Sequence, residues 1–262
     1  MSTVTSKVGL SAERVKLGVF ALSGLGFLAL ALPAFAEPMT FWTGIVFGDY
    51  AYPDHQLHHF VMGTVFPLLL LGVIAQAYRP TERVGALHSS IVIWVSLTVV
   101  FSVGGEFSPV QLILLALLGV MALTHPAGPD QLPSAEQLNR PLLVVAAVTA
   151  VAGLAFAGLE ISSHLSADDT HVGFNHYLFM ATTGLSIVAL GLYASFRGSN
   201  WRFPAYTAAL FLLVLGLASV VYPGAEQGSS LGVVGGLAVA IWALVFVGVA
   251  ERGEAILGRI QS

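Results

Sequence analysis

Long apolar runs, separated by shorter polar segments, make up most of this chain. A helix that crosses the roughly 30 Å hydrocarbon core of a bilayer needs about 20 predominantly apolar residues. Such runs predict eight transmembrane helices, at about residues 17–36, 58–78, 87–103, 108–124, 141–160, 175–196, 204–222 and 229–250. The pattern therefore predicts an all-α fold, a polytopic membrane helix bundle.

The composition supports the same environment. Of the 262 residues, 56% are hydrophobic and 9% are charged, and the mean hydropathy is +0.84. A soluble domain carries about 25% charged residues, so most of this surface is expected to face the lipid bilayer. The low charge content and the net charge of -4 exclude a cytosolic enzyme, a disordered chain and a nucleic-acid binder. The lack of cysteine in the sequence excludes disulfides, thiolate metal sites, iron–sulfur clusters and thiol nucleophiles.

Basic residues lie on one side of the predicted spans. They occur before span one, in the connections that follow even-numbered spans, and after span eight, as Lys7, Arg14, Lys16, Arg79, Arg83, Arg140, Arg197, Arg202, Arg252 and Arg259. Lys and Arg are enriched in cytoplasmic segments of membrane proteins. Both termini are therefore predicted to be cytoplasmic, in a protein integral to the plasma membrane.

The two halves of the chain share an order of polar residues. Spans one and five end in Glu37 and Glu160. Because each half has four spans, both halves have the same orientation, and we expect parallel repeats related by an axis along the membrane normal. At offsets of 118 and 120 the matching pairs are His58 and His176, Met62 and Met180, Thr64 and Thr182, Arg79 and Arg197, Gly104 and Gly224, and Glu106 and Glu226.

The repeat also sets the predicted domain boundaries and bears on the N-terminus. Basic residues, an apolar run and the sequence Ala34-Phe35-Ala36 are typical of a cleaved secretory signal peptide. The repeat argues against cleavage, because span one then has a counterpart inside the chain. The predicted organisation is a cytoplasmic N-terminal segment (1–16), a first four-helix repeat (17–124), a cytoplasmic linker (125–140), a second four-helix repeat (141–250) and a cytoplasmic tail (251–262).

The opposite, extracytoplasmic side is rich in histidine. A first cluster, His55, His58 and His59, follows Asp54 at the start of span two. His55 and His59 share a helical face if the helix begins by residue 55. Imidazole nitrogen binds zinc, copper, iron and nickel, and a carboxylate such as Asp54 can orient a ligating ring. The alternative is a set of interfacial polar residues at a helix end.

A second cluster on this side follows span five. Glu160 and His164 share a face if that span continues outward for one more turn. His171 and His176 are five residues apart, a spacing that places them on different elements. Asp169 is a candidate second-shell or proton-relay group, although an acidic hydrated loop explains it equally well.

Four glutamates stand at span ends on the same side. Glu106 and Glu226 occupy the outer turn of each half, where simple exposure is the alternative interpretation. Glu37 and Glu160 each end a span, where a carboxylate opposes the helix dipole. We expect Glu106, Glu160 and Glu226 to be candidate ligands and Glu37 to be a second-shell or proton-relay group.

The leading hypothesis is a transition-metal (Cu, Zn or Fe) or haem b centre with a binding or redox role. A haem would take His58 and His176 as axial ligands, whereas a mononuclear or dinuclear metal site would recruit His55, His59 and the three glutamates. One alternative is a transporter or channel for a small solute, a proton or a metal cation. Another is a non-catalytic subunit of a membrane complex or homo-oligomer. His88 and His125, near the cytoplasmic ends, are expected to be structural.

Overall fold

The described part of the chain consists of helices and short connections, without strands. The computed structural model describes the backbone of residues 3–47, 52–128 and 137–261, and the side chains of residues 12–36, 52–128, 137–253 and 255. The predicted all-α class is confirmed over these ranges. The α-helices are α1 (Thr3–Phe47), α2 (Gln56–Ile74), α3 (Val84–Val103), α4 (Pro109–Leu123), α5 (Arg140–Ser166), α6 (Thr170–Gly173), α7 (His176–Ser195), α8 (Arg202–Val221) and α9 (Gly232–Gln261).

Seven apolar helical segments in the described ranges are long enough to cross a membrane, which agrees with a membrane helix bundle. The predicted fourth span differs from the others. Helix α4 has 15 residues, so at 1.5 Å per residue it is about 22 Å long, shorter than the hydrocarbon core. The seven segments are Ala12–Ala36, Pro53–Ala77, Val84–Val103, Arg140–Ser166, His176–Ser195, Arg202–Val221 and Gly232–Gly253.

Four helices form the interior of the bundle and four lie outside them. The inner helices α2, α3, α7 and α8 contact one another and are mostly buried. On one side α1 packs against α2 and α4, and on the other α5 packs against α7 and α9. Helix α3 contacts α4, and α8 contacts α9. The long outer helices α1, α5 and α9 leave most of their apolar surface exposed, as a lipid-facing surface requires.

Close helix contacts depend on small residues. Where α8 meets α9, a Cβ added to Gly216 would lie 2.6 Å from the carbonyl oxygen of Gly236, and a Cβ on Gly236 would lie 2.6 Å from that of Gly216. Where α5 meets α7, a Cβ on Gly184 would lie 3.1 Å from the carbonyl oxygen of Gly153. Glycines at such positions let backbones approach closely, which is the usual way that membrane helices associate.

The predicted structural histidines have partners inside the bundle. His88, on α3, hydrogen bonds through Nδ1 to the hydroxyl of Tyr193 on α7. His125, which follows α4, bonds through Nε2 to Gln76 Oε1 at 3.2 Å. Both imidazoles therefore tie together neighbouring segments at the end of the bundle opposite to the other histidines, in keeping with the structural role expected of them.

Candidate metal centre

Five histidines from three separate parts of the sequence meet at one end of the bundle. His55 ends a 3-10 turn before α2, and His58 and His59 lie in the first turn of α2. His171 lies on the one-turn helix α6, and His176 is the first residue of α7. Each has 6% or less of its surface exposed. The first predicted cluster and two histidines of the second thus form one buried group.

Two overlapping sets of three histidines bring their ring nitrogens close enough together that they could hold a metal ion. In one set, His55, His59 and His176 each place a ring nitrogen within 4.8 Å of the others. In the other set, His58, His171 and His176 do the same. We call these the first triad and the second triad. His176 belongs to both.

One pair of ring nitrogens has nearly the separation of two ligands on one ion. Nε2 of His59 lies 3.1 Å from Nε2 of His176. Two nitrogens bound at 2.0–2.1 Å to one tetrahedral zinc ion are separated by about 3.3 Å. Only a small movement would let both nitrogens bind the same metal.

A hydrogen-bonded chain orients His58. The hydroxyl of Ser229 donates to Glu160 Oε2 at 2.6 Å and lies 2.8 Å from Nε2 of His58. Because the hydroxyl proton is directed to the carboxylate, the Ser229 oxygen accepts from the Nε2–H of His58. The lone pair of His58 is therefore on Nδ1, which is buried and has no hydrogen-bond partner among the described residues. Carboxylate-supported imidazoles of this kind are characteristic of metal sites.

His171 has the same tautomer for a different reason. Its Nε2 lies 3.1 Å from the backbone carbonyl oxygen of Asp54, which can only accept. Nε2 therefore carries the proton and Nδ1 carries the lone pair. Oδ1 of Asp169 lies 3.5 Å from that Nδ1, too far for a good hydrogen bond but close enough to place negative charge beside it.

Asp169 also builds the short helix that carries His171. As the N-cap of α6, its side chain accepts from the backbone N–H groups of His171 at 2.9 Å and Val172 at 3.3 Å. The hydroxyl of Tyr177 donates to its other carboxylate oxygen at 2.8 Å. Desolvation acts to raise the pKa of Asp169, but these three hydrogen bonds and the nearby His171 outweigh it and lower the pKa below its ordinary value of 3.8. The group is thus an anion at neutral pH.

The connection between α8 and α9 closes the site. Gln227 accepts at Oε1 from the backbone N–H of Leu57 at 3.0 Å and donates from Nε2 to the carbonyl oxygen of Pro53 at 2.8 Å. The next residue, Gly228, has φ +76°, a left-handed conformation that favours glycine. A Cβ there would lie 3.1 Å from the Tyr177 ring and 3.3 Å from His58. These bonds fix the start of α2, and with it the first three histidines.

The remaining predicted site residues are placed differently. Glu160 is buried and reaches the group through Ser229. His164 is buried one turn further along α5, as expected if the helix continues outward, but belongs to neither triad. Glu106 and Glu226 are exposed, and neither is in a triad. Glu37 lies on α1, but its side chain is outside the described residues.

Three residues of the site carried no signal in the sequence. The pattern assigned Gln227 only to a helix connection and Ser229 only to the first position of span eight, and Thr170 contacts Nε2 of His55 through its hydroxyl at 3.0 Å. Serine, threonine and glutamine are common in loops, so only their contacts distinguish them. Asp54, the predicted orienting carboxylate, takes part through its backbone carbonyl instead.

The geometry bears directly on the choice between a metal ion and a haem. The rings of His58 and His176 stack on each other, with centroids 4.9 Å apart and an angle of 17° between their planes. Axial ligands of a haem lie on opposite faces of the macrocycle and point at its iron. A haem held by this pair would first have to separate the two rings, whereas a metal ion bound by the first triad, which does not include His58, requires no such separation.

Comparisons of the chain with protein-family models, with curated proteins and with solved structures find no match. Its chemistry must therefore be inferred from the residues themselves. What they offer is an enclosed group of imidazoles with acidic groups at its edge.

Proposed function

We propose that this multi-helix, apolar protein binds a transition metal through the five clustered histidines. The observation that carries the proposal is the convergence of two histidine triads in a buried position. Buried polar groups are usually hydrogen bonded, but Nδ1 of His58 and Nδ1 of His176 have no hydrogen-bond partner among the described residues. A metal ion could bind several of these nitrogen lone pairs at once.

The donor set indicates the class of metal. All the candidate ligands in the triads are imidazoles, which suit zinc, copper, iron and nickel rather than the hard cations magnesium and calcium. A three-histidine site leaves a fourth position open for water or substrate. The proposed role is therefore binding or redox, with catalysis dependent on what occupies the open position.

We further propose that the site faces the extracytoplasmic side. Helices α2 and α7 both begin at the histidines, and the arginines that follow them, Arg79 and Arg197, lie at their other ends. The enrichment of basic residues in cytoplasmic segments then places both termini in the cytoplasm and the metal centre outside.

The pattern of helix contacts supports two parallel repeats. Helices α1, α2, α3 and α4 of the first half correspond to α5, α7, α8 and α9 of the second, and corresponding helices make corresponding contacts. The contacts between the halves follow the same rule, because the contact of α2 with α8 corresponds to that of α7 with α3. The matched residues His58 and His176 then meet where the halves join, with their rings stacked. The proposed centre lies at this junction, so each repeat supplies ligands that the other lacks.

Metal analysis of the purified protein tests the proposal. Chelator-stripped protein in detergent is incubated with Zn²⁺ or Cu²⁺, desalted and analysed by mass spectrometry for metal per chain. We expect tight, stoichiometric metal in the wild type and at least a tenfold weaker affinity in the double variant His58→Gln, His176→Gln. The matched control is His88→Gln, His125→Gln, which removes two buried histidines at the other end. Equal metal content in both double variants would refute the proposal, and the transporter and partner-subunit alternatives would remain as predictions.

A further inference from the structure

His176 is the one residue that the two triads share, and an imidazole has two nitrogens. We propose that the site holds two transition-metal ions, bridged by the ring of His176. In this arrangement Nε2 of His176 binds the ion held by His55 and His59, and Nδ1 binds the ion held by His58 and His171. This inference rests on the proposed function and specifies the number of ions and the ligand that joins them.

In the first triad, the contact with His59 favours Nε2 as the atom of His176 that binds the metal ion. Nε2 of His59 lies 3.1 Å from this atom, which is close to the separation of about 3.3 Å for two nitrogens on one tetrahedral ion. His55 approaches the same ring, with its centroid 4.7 Å from that of His176 and the two planes at 87°. His55, which would supply the third nitrogen ligand of this ion, thus packs edge to face against the ring of His176.

In the second triad, the hydrogen bonds leave Nδ1 of each histidine as the atom that can bind a metal ion. His58 is held through Nε2 by Ser229, and His171 is held through Nε2 by the carbonyl oxygen of Asp54. Nδ1 of His176 is buried without a hydrogen-bond partner among the described residues. The rings of His58 and His171 have centroids 4.9 Å apart. His58 and His171 are therefore both held through Nε2, which leaves Nδ1 of each ring to bind the ion that they share with His176.

Bridging requires that His176 lose its remaining N–H proton, which passes to solvent as the second ion binds. Metal binding commonly releases protons from its ligands in this way. The resulting imidazolate carries one negative charge between two divalent cations, about 6 Å apart if each metal–nitrogen bond is about 2.0 Å. The carboxylate of Asp169, 3.5 Å from Nδ1 of His171, adds negative charge on the side of the second ion.

Counting ions in single variants tests the bridge. Full-length protein is stripped with chelator, loaded with Cu²⁺ and desalted. We expect two ions per chain in the wild type and in His125→Gln, a control histidine at the other end. One ion should remain in His55→Gln, which affects the first triad, and one in His171→Gln, which affects the second. His176→Gln should retain less than one, and thermal melts of each variant should establish that it is folded.

Electron paramagnetic resonance provides a second readout that loss of structure would not reproduce. Two Cu²⁺ ions joined by an imidazolate couple their spins, so the integrated signal of the wild type should be well below its copper content. The signal of His171→Gln, with one ion, should equal its copper content. One ion per chain in the wild type, or two uncoupled ions that survive His176→Gln, would overturn the bridge but leave the metal centre in place. Absence of bound metal from the wild type after loading with Cu²⁺ and, separately, with Zn²⁺ would overturn the proposed function itself.

Discussion

At the scale of single residues, Ser229 connects the carboxylate of Glu160 to the histidines. The hydroxyl of Ser229 donates to Glu160 and accepts from Nε2–H of His58. Glu160 therefore fixes the tautomer of His58 through Ser229, although Glu160 and His58 do not form a hydrogen bond with each other. His58 is completely buried, so bulk water does not reach the ring to replace its bond to Ser229. Groups that fix the tautomer of a ligand in this way commonly contribute as much to affinity as to structure.

We predict that Ser229→Ala lowers metal affinity by about 10- to 100-fold, the usual cost of losing an outer partner of a ligating histidine. The reason is that the Nε2–H of His58 then has no acceptor and the ring can adopt the wrong tautomer. The matched control is Ser230→Ala. The hydroxyl of Ser230 donates to the carbonyl oxygen of Tyr222, away from the histidines. Competition with a coloured chelator measures both variants, and an equal loss in the control would contradict the prediction.

His125 gives a prediction about pH. It accepts at Nδ1 from the backbone N–H of Ala127 at 3.1 Å, so protonation of Nδ1 breaks that bond. Burial lowers the pKa of His125 below 6.5, and His88 lowers it further, against a hydrogen bond to the backbone of Pro80 that raises it. The folded state thus binds fewer protons than the unfolded state. Its contribution to stability is complete above about pH 6.5 and is lost as the pH falls from there through the folded pKa.

Thermal melts at a series of pH values from 8 to 5 measure this contribution. We expect Tm of the wild type to fall with decreasing pH below about 6.5, and Tm of His125→Gln to fall less steeply. The two proteins differ only at position 125, so the difference between the two slopes reports on His125. Parallel slopes would assign the whole effect to other groups.

At the scale of helices and loops, the sequence predicted the long elements better than the short ones. Apolar runs of about 20 residues predict membrane helices because the bilayer sets their length, and seven such segments are present in the described ranges. Helix α6 has four residues and no apolar run, and its start depends on the carboxylate of Asp169. Its place against His55, through Thr170, depends on a tertiary contact that no local pattern encodes.

The contact between α8 and α9 gives a prediction at the same scale. Gly216→Ala places a methyl group about 2.6 Å from the carbonyl oxygen of Gly236, so the two helices must separate. We expect a loss of roughly 1–3 kcal/mol in the free energy of unfolding, as for other overpacked contacts. Gly119→Ala, where an added Cβ meets nothing within 4 Å, is the control and should be neutral or slightly stabilising. Denaturation in detergent measures both, and equal stability would contradict the prediction.

At the scale of the whole molecule, enclosure is what makes the histidine group a candidate centre. The sequence predicted six histidines on one side of the membrane. Interfacial histidines and metal-binding histidines would give the same sequence pattern, so the sequence did not distinguish them. The inner helices α2 and α7 both begin at that end, so their first turns meet and bury the rings against each other. The two exposed glutamates, Glu106 and Glu226, share the side with the histidines but lie outside both triads. The sequence thus predicted which polar residues share one end of the bundle, but it did not predict which of them come together.

The proposed orientation of the whole bundle can be measured directly, because the chain contains no cysteine to interfere with labelling. We predict that Glu106→Cys, at the outer turn between α3 and α4, reacts in intact cells with a maleimide that cannot cross membranes. Arg79→Cys, after α2, should react only after the cells are permeabilised. Both positions are exposed on the protein surface, so access to the side of the membrane decides which one is labelled. Labelling of Arg79→Cys but not Glu106→Cys in intact cells would invert the topology and place the histidines in the cytoplasm, where a metal centre would draw on a different metal pool.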